Sequence, residues 1–184
     1  FSTCLPDRQA LNSQLLFGIV QGSTYKDLRE ESTEYISSLP FDGIAVGGVS
    51  VGEGKKNMYE VMKWVSPNLP ENKPRYLMGI GEPEDLIKAI KYGFDMFDCV
   101  LPTRLARHGV VWVRNEKRKT KNEKPQLKNQ NYQYQKLDLR KSAVRNDTKV
   151  LDQNCQCYTC QKGFSRAYIS HLLREKELLG YRLA

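Results

Sequence analysis

The chain has 184 residues, with 29 Lys and Arg against 21 Asp and Glu and a formal charge of +8; this length suits one ordinary domain or part of a larger one. The charge is local, because 12 basic and 4 acidic residues fall between Arg114 and Lys149 and the remainder is neutral. A neutral body with one basic segment favours a polyanionic partner, nucleic acid ahead of membrane, since no apolar run is long enough to span or anchor. A signal peptide and a secreted disulfide framework are not expected either. Three of the five cysteines crowd into Cys155-Gln-Cys157-Tyr-Thr-Cys160, which points to a reducing compartment and a metal.

Taken in chain order, the apolar run over 15–20 predicts a buried strand that turns at Gln21-Gly22-Ser23. Thr24 and Asp27 resemble a capping box for a helix running to about Leu39, with Pro40 just after it. A second strand over 43–46 runs into Gly47-Gly48. Its helix presents Met58, Val61, Met62 and Val65 at one apolar face. A third strand over 75–78 ends in Gly79-Ile80-Gly81, and Pro83 with Glu84 and Asp85 suits the start of the next helix. Leu86, Ile87 and Ile90 are that helix's expected buried face and Gly93 its C-cap. A fourth strand is expected over 96–101. This alternation of strands and helices predicts parallel strands joined by helical crossovers, an α/β fold.

In such folds the chemistry lies beyond the C-terminal strand ends. Gln21, Gly47, Gly48, the turn over 79–81, Asp98 and Arg104 all fall there. Gly47-Gly48 reads either as a tight turn or as a backbone cradle that a ligand approaches closely. Asp98, inside an apolar stretch, either pairs with Arg104 or acts as a nucleophile on a sugar carbon. Cys99 reads as packing. Arg104 and Arg107 are expected in a rim loop, as solvated charge or as a fork for phosphate. The three clustered cysteines suit one tetrahedral ion, zinc being the usual occupant. His171 stands well inside a helix predicted over 165–179, and its neighbours Tyr168 and Leu172 read as a packing or partner-facing surface. The basic segment over 114–149 carries Lys117, Arg118, Lys119, Lys121, Tyr132 and Tyr134. It reads as a mobile loop or extended hairpin, either simply solvated or suited to RNA.

Together these strings resemble the bacterial tRNA-guanine transglycosylase (queuine tRNA-ribosyltransferase) family, base-exchange enzymes of queuosine biosynthesis. The matching strings are Phe17-Gly-Ile-Val-Gln21-Gly-Ser23, Phe41-Asp-Gly-Ile-Ala-Val-Gly-Gly48-Val-Ser-Val-Gly-Glu53 and Tyr76-Leu-Met-Gly-Ile-Gly81. They continue with Asp95-Met-Phe-Asp98-Cys-Val-Leu-Pro-Thr-Arg104-Leu-Ala-Arg107, the cysteine cluster and Ser165-Arg-Ala-Tyr168-Ile. Nearly the whole chain is covered except about 114–136.

The resemblance implies part of a (β/α)8 barrel, about four parallel strands of it, with a zinc-binding subdomain. Residues 1–113 would be barrel with the catalytic rim, 114–150 a basic insertion, and 151–184 the zinc-binding segment and following helix. Asp98 would be the nucleophile that displaces guanine from the wobble ribose and holds the tRNA covalently. Gln21 and Gly48 would bond the base, with Val49 and Met78 lining its pocket. Gly79, Ile80, Gly81, Glu82, Pro83, Glu84 and Asp85 would contact RNA, as would Thr103, Arg104, Leu105, Ala106 and Arg107. Cys155, Cys157 and Cys160 would be three ligands of a structural zinc. The resemblance further implies 7-aminomethyl-7-deazaguanine as incoming base, the anticodon arm of tRNA as partner, a homodimer of the full-length protein, and a cytoplasmic setting without membrane.

Three departures stand out. The family's acid–base aspartate and base-reading aspartate would precede Phe1, and its fourth zinc ligand, a histidine, would follow Ala184. His171 matches instead a family position on a helix used in dimer contacts. The basic segment is longer than the family's usual connection. The piece alone is therefore expected to be inactive. Two other readings are a non-catalytic zinc-containing RNA-binding module of the same family, and a small-sugar glycosidase, which normally needs two opposed carboxylates.

Overall fold

A computed structural model describes residues 14–49, 54–114 and 134–184. The described residues group into two compact units, one reaching to Gly81 together with Asp85–Cys99, the other Glu82–Glu84 with Val100–Ala184.

In the first unit, β1 (Phe17–Val20), β2 (Gly43–Val46), β3 (Arg75–Leu77) and β4 (Met96–Phe97) form one sheet in that order. All neighbours are parallel. The crossovers are α1 (Lys26–Ser38), α2 (Gly54–Val65) and α3 (Pro83–Lys91), so the expected alternation of strand and helix is present. Strand residues alternate between faces. Val20, Ile44, Val46 and Leu77 pack with Met58, Val61, Met62 and Val65 of α2, the face read from the sequence, and with Leu69, Ala89 and Phe94.

The opposite sheet face carries a different row. The register aligns Ile19 with Ala45, Ala45 with Tyr76, and Tyr76 with Met96. Ile19 and Met96 are 43% and 44% exposed. With Leu15, Phe17 and Met78, this row lines an open pocket of about 250 Å³.

Several local expectations are corrected. α1 begins at Lys26, and its N-cap is Tyr25 without a side-chain cap; Tyr25 N–H instead bonds Gly22 O at 3.2 Å. Thr24 and Asp27 thus form no capping box. In α3 the fully buried residues are Asp85 and Ala89, while Leu86 packs partly buried against the core, as expected. Ile90 is 58% exposed, because the helix is rotated so that its acidic first turn faces α2. Gly93, at φ +83°, follows that helix as expected.

The fourth strand stops at Phe97 rather than continuing to Leu101. α4 (Leu101–Arg107) starts there instead, with Pro102 in its first turn, where the missing N–H costs no helical bond. Arg104 and Arg107 therefore stand on a helix, not in a loop.

The second unit adds the antiparallel pair β5 (Val110–Arg114) and β6 (Tyr134–Asp138). Three helices follow: α5 (Tyr158–Gln161), α6 (Arg166–Arg174) and α7 (Leu178–Leu183). Its core joins Val111, Val113, Leu139, Leu151, Ile169, Leu173 and Leu183. Ser165 Oγ accepts from Tyr168 N–H at 3.1 Å and caps α6. The single helix expected over 165–179 is broken at Lys176, whose φ is +59°. Within the basic stretch, 134–149 is structured and Leu139 is fully buried. Lys117, Arg118, Lys119, Lys121 and Tyr132 lie outside the described residues.

One buried cation organises the strand ends of the first unit. Arg29, on α1, is 0% exposed. Its Nε donates to Ser23 O at 2.7 Å, and one terminal nitrogen reaches Gly47 O at 2.8 Å and Val20 O at 3.3 Å. The other donates to Gly48 O at 2.8 Å. These carbonyls lie where the β1 and β2 ladders end, and a planar guanidinium can serve several at once. Arg29→Met in the full-length protein should cost about 3 kcal/mol, since it removes the donor to the buried Gly47 carbonyl and to the part-buried Ser23 and Gly48 carbonyls. Arg29→Lys should recover less than half, because an ammonium lacks the fork. Urea unfolding measures both, and an unshifted midpoint in Arg29→Met would show that water satisfies these carbonyls.

Candidate active site

Asp98 follows the two-residue strand β4 directly, so it stands at the C-terminal strand end and not in the buried ladder. Its Oδ1 accepts a hydrogen bond from Tyr76 Oη at 2.7 Å and from the Gly79 N–H at 2.9 Å. The Gly79 amide first, and the Tyr76 hydroxyl second, hold the carboxyl below the usual carboxylate value. Each donor favours the ionised form. The carboxylate correspondingly pushes the Tyr76 phenol up. Asp98 is exposed and so is a solvent-reachable anion with a fixed orientation.

Gln21, at the end of β1, lies over the paired glycines at the end of β2. A Cβ on Gly47 would fall 2.7 Å from Gln21 Nε2 and 3.2 Å from Ile19 Cγ2. A Cβ on Gly48 would fall 2.9 Å from Gln21 Oε1, and Gly48 has φ +61°. Only glycine allows that approach and that backbone conformation together. Ile19 also lines the apolar pocket, as do Met78 and Tyr76. Gln21 thus stands beside Gly47, as the pocket-lining Ile19 does, and Asp98 is bonded to the pocket-lining Tyr76.

The other predicted residues are placed as follows. Val49 is buried in the core beneath the turn, so its side chain does not line the pocket. Ile80 is buried in the same core, while Gly79 and Gly81 are partly exposed. Asp85 is 5% exposed. Its carboxylate accepts from Tyr59 Oη and pairs with Lys55 Nζ at 3.1 Å, tying the starts of α2 and α3. Its side chain is thereby engaged internally rather than offered to a ligand.

In the second unit, Glu82 pairs with Lys136 at 3.5 Å, and Pro83 and Glu84 begin α3. Thr103 Oγ1 donates to Val100 O at 3.0 Å. Arg104 and Arg107 are exposed on the last turn of α4, with Leu105 and Ala106 half-buried.

Cys155, Cys157 and Cys160 place their sulfur atoms within 4.8 Å of one another. An ion with zinc–sulfur bonds of about 2.3 Å holds its sulfurs roughly 3.8 Å apart, so a small closure suffices and the donor set fits a soft metal. Burial pushes the Cys160 thiol up to about 12. Burial acts in the same direction on Cys157, but hydrogen bonds from the Cys160 backbone and the neighbouring thiols outweigh it and leave that thiol below its ordinary value. Three thiols so close cannot all ionise unless a cation joins them.

Sequence reasoning did not single out Tyr76 or Arg29. The period-two alternation along β3 puts Tyr76 on the same face as Met78, which was a usable signal. Arg29 carried none, because a charged residue on an amphipathic helix reads as solvent-facing.

The family model described as queuine tRNA-ribosyltransferase matches residues 1–184. A queuine tRNA-ribosyltransferase of Halothermothrix orenii is 47% identical over 170 residues, 92% of this chain and 40% of that protein. Those of Desulforudis audaxviator and a Cyanothece species are 49% and 47% identical, over 96% and 98% of this chain and 43% and 42% of theirs. The chain thus spans about two fifths of the length of these relatives. With a family match along its full length and nearly half its residues identical to these relatives, the chain belongs to the queuine tRNA-ribosyltransferase family.

Proposed function

We propose that this chain is the nucleophile-bearing part of a tRNA-guanine transglycosylase, which exchanges the wobble guanine of tRNA for 7-aminomethyl-7-deazaguanine. The observation that carries the reading is the oriented, ionised Asp98 carboxylate at the strand-end rim. The carboxylate attacks ribose C1′ as the bond to the purine nitrogen breaks. The bond electrons leave with the purine, which takes a proton from a carboxylic acid of the complete site. The incoming base then reverses the step and frees Asp98.

Gln21 and the backbone at Gly48 and Val49 supply amide donors and acceptors for a purine edge, and Met78 gives an apolar wall. Gly79 to Asp85 and Thr103 to Arg107 are the proposed RNA-contacting segments. Within them Arg104 and Arg107 are free to fork onto phosphates, whereas Asp85 acts through Lys55 and Tyr59 by holding the turn in place.

The exposed row of Ile19, Tyr76 and Met96 is the face that a closed (β/α)8 barrel turns inward. Cys155, Cys157 and Cys160 hold a structural zinc in this reading. Bound there, the ion would cross-link the chain just before α5, through Cys155 and Cys157, to α5 itself, through Cys160. Recognition of the anticodon arm, a homodimer, and a reducing cytoplasmic setting complete the proposal.

Three outcomes test it. In the full-length protein, Asp98→Asn should abolish the covalent tRNA adduct seen on denaturing gels and leave tRNA binding within about threefold, because the change is nearly isosteric. An adduct that persists would move the nucleophile elsewhere. Cys157→Ser should lose the bound zinc measured by metal analysis, and chelation should destabilise the wild type towards the same melting point; a full metal complement in Cys157→Ser would refute the ligand set. The 184-residue chain alone, with an apolar face open to water, should bind a hydrophobic dye and exchange no base. Full exchange activity from that chain would remove the half-barrel reading.

A further inference from the structure

The site contains a second phenomenon that nucleophilic attack does not itself require: both donors to Asp98 converge on one oxygen. Tyr76 Oη and the Gly79 N–H both reach Oδ1, at 2.7 and 2.9 Å, so the two donors that other described residues offer this carboxylate fall on one oxygen, beside a weaker contribution from its own backbone N–H. The tyrosine ring is held for this. Phe17 packs edge-on against it, with centroids 6.4 Å apart and planes at 87°, and the strand pairing fixes Tyr76 between Ala45 and Met96. The Gly79 amide is presented by a turn at φ +76°.

We infer that Tyr76 is a positioning residue which, with the Gly79 amide, reserves Oδ1 of Asp98 for hydrogen bonding, leaves Oδ2 to form the bond to ribose C1′, and speeds the later release of that bond. The inference rests on Asp98 being the nucleophile. Its steps balance without any redox partner. An Oδ2 lone pair forms the bond to C1′ while the C1′–purine bond breaks, and the departing purine is protonated by a carboxylic acid. Oδ1 is now the carbonyl oxygen of a sugar ester. When the incoming base attacks C1′, its ring N–H proton passes to the carboxylate left by that acid, the C1′–Oδ2 electron pair returns to Asp98, and the charge spreads onto Oδ1.

Two donors already stand at Oδ1 when that charge arrives. They act there as an oxyanion hole acts on a developing alkoxide. The same bonds lower the free energy of the resting carboxylate, so they do not assist the first attack. Their net effect is to keep the covalent adduct from accumulating. Among the described residues, Tyr76 is the titratable group that contacts Asp98, and the Gly79 amide does not titrate.

The experiment uses full-length protein, tRNA with a wobble guanine, and 7-aminomethyl-7-deazaguanine. Adduct formed in the absence of incoming base is chased with that base, and the breakdown rate is read on denaturing gels. Tyr76→Phe should still form adduct, release it roughly tenfold more slowly, as expected for loss of one bond to a charged group, and accumulate more of it at steady state. Loss of a donor raises the Asp98 value, so the acid limb of kcat/KM should move to higher pH. Replacing Tyr76 with 3-fluorotyrosine strengthens the donor and should move the limb to lower pH, a response that a merely structural role would not produce.

A wild-type breakdown rate with an unmoved acid limb, or no adduct at all in Tyr76→Phe, overturns the role of Tyr76. An adduct that survives Asp98→Asn overturns instead the nucleophile on which the role depends.

Discussion

The candidate site depends first on how a parallel sheet ends. Where β1 and β2 stop, Val20 O still accepts from the Gly47 N–H and Val46 O from the Met78 N–H, both at 3.1 Å, but the buried Gly47 carbonyl just beyond them needs a donor from outside the sheet. Arg29 meets this constraint with a single guanidinium that serves Ser23, Val20, Gly47 and Gly48. A buried cation is costly, and several short bonds to carbonyl dipoles are what make it tolerable here. Arg75 works similarly near β3, donating to Leu69 O at 2.6 Å and Pro70 O at 3.1 Å. With the glycine turn pinned from below, Gln21 can lie across it without closing it.

The sheet then divides labour between its faces. One face packs apolar strand residues on α2 with little tolerance for change. The other aligns Ile19, Ala45, Tyr76 and Met96 around an open pocket. Asp98 enters this arrangement because β4 is only two residues long. A strand continued to Leu101 would have placed the acid in a ladder where its charge was unsatisfied. Ending at Phe97 frees the carboxylate to turn toward Tyr76 and Gly79, whose donors keep it ionised.

The second unit solves a different problem. Its core draws Val111, Val113, Leu139, Val144 and Leu151 from before α5, but between Val144 and α5 only Leu151 is a buried apolar side chain. Arg166 ties this stretch by donating to Asp147 Oδ2 at 2.9 Å and to the Val150 and Leu151 carbonyls. The cysteine cluster stands beside it. Close thiols repel once ionised, so a bound cation would convert a local electrostatic cost into a cross-link.

Much of this was legible without coordinates. Hydrophobic periodicity marked the strands and the buried face of α2, because backbone geometry repeats at fixed intervals and burial follows it. The cysteine spacing marked a metal-suited cluster, because three thiols within six residues cannot lie far apart. The strings around Gln21, Gly48 and Asp98 pointed to the family for the same reason: their spacing reflects strand ends and turns. What only the tertiary structure decided concerns partners that are distant in sequence. It turned Arg29 and Asp85 inward, put Val49 in the core, moved Arg104 and Arg107 onto a helix, and brought Tyr76 to Asp98. A side chain's charge predicts exposure only until another segment supplies the hydrogen bonds that water would have made, and that supply exists only once the chain has folded.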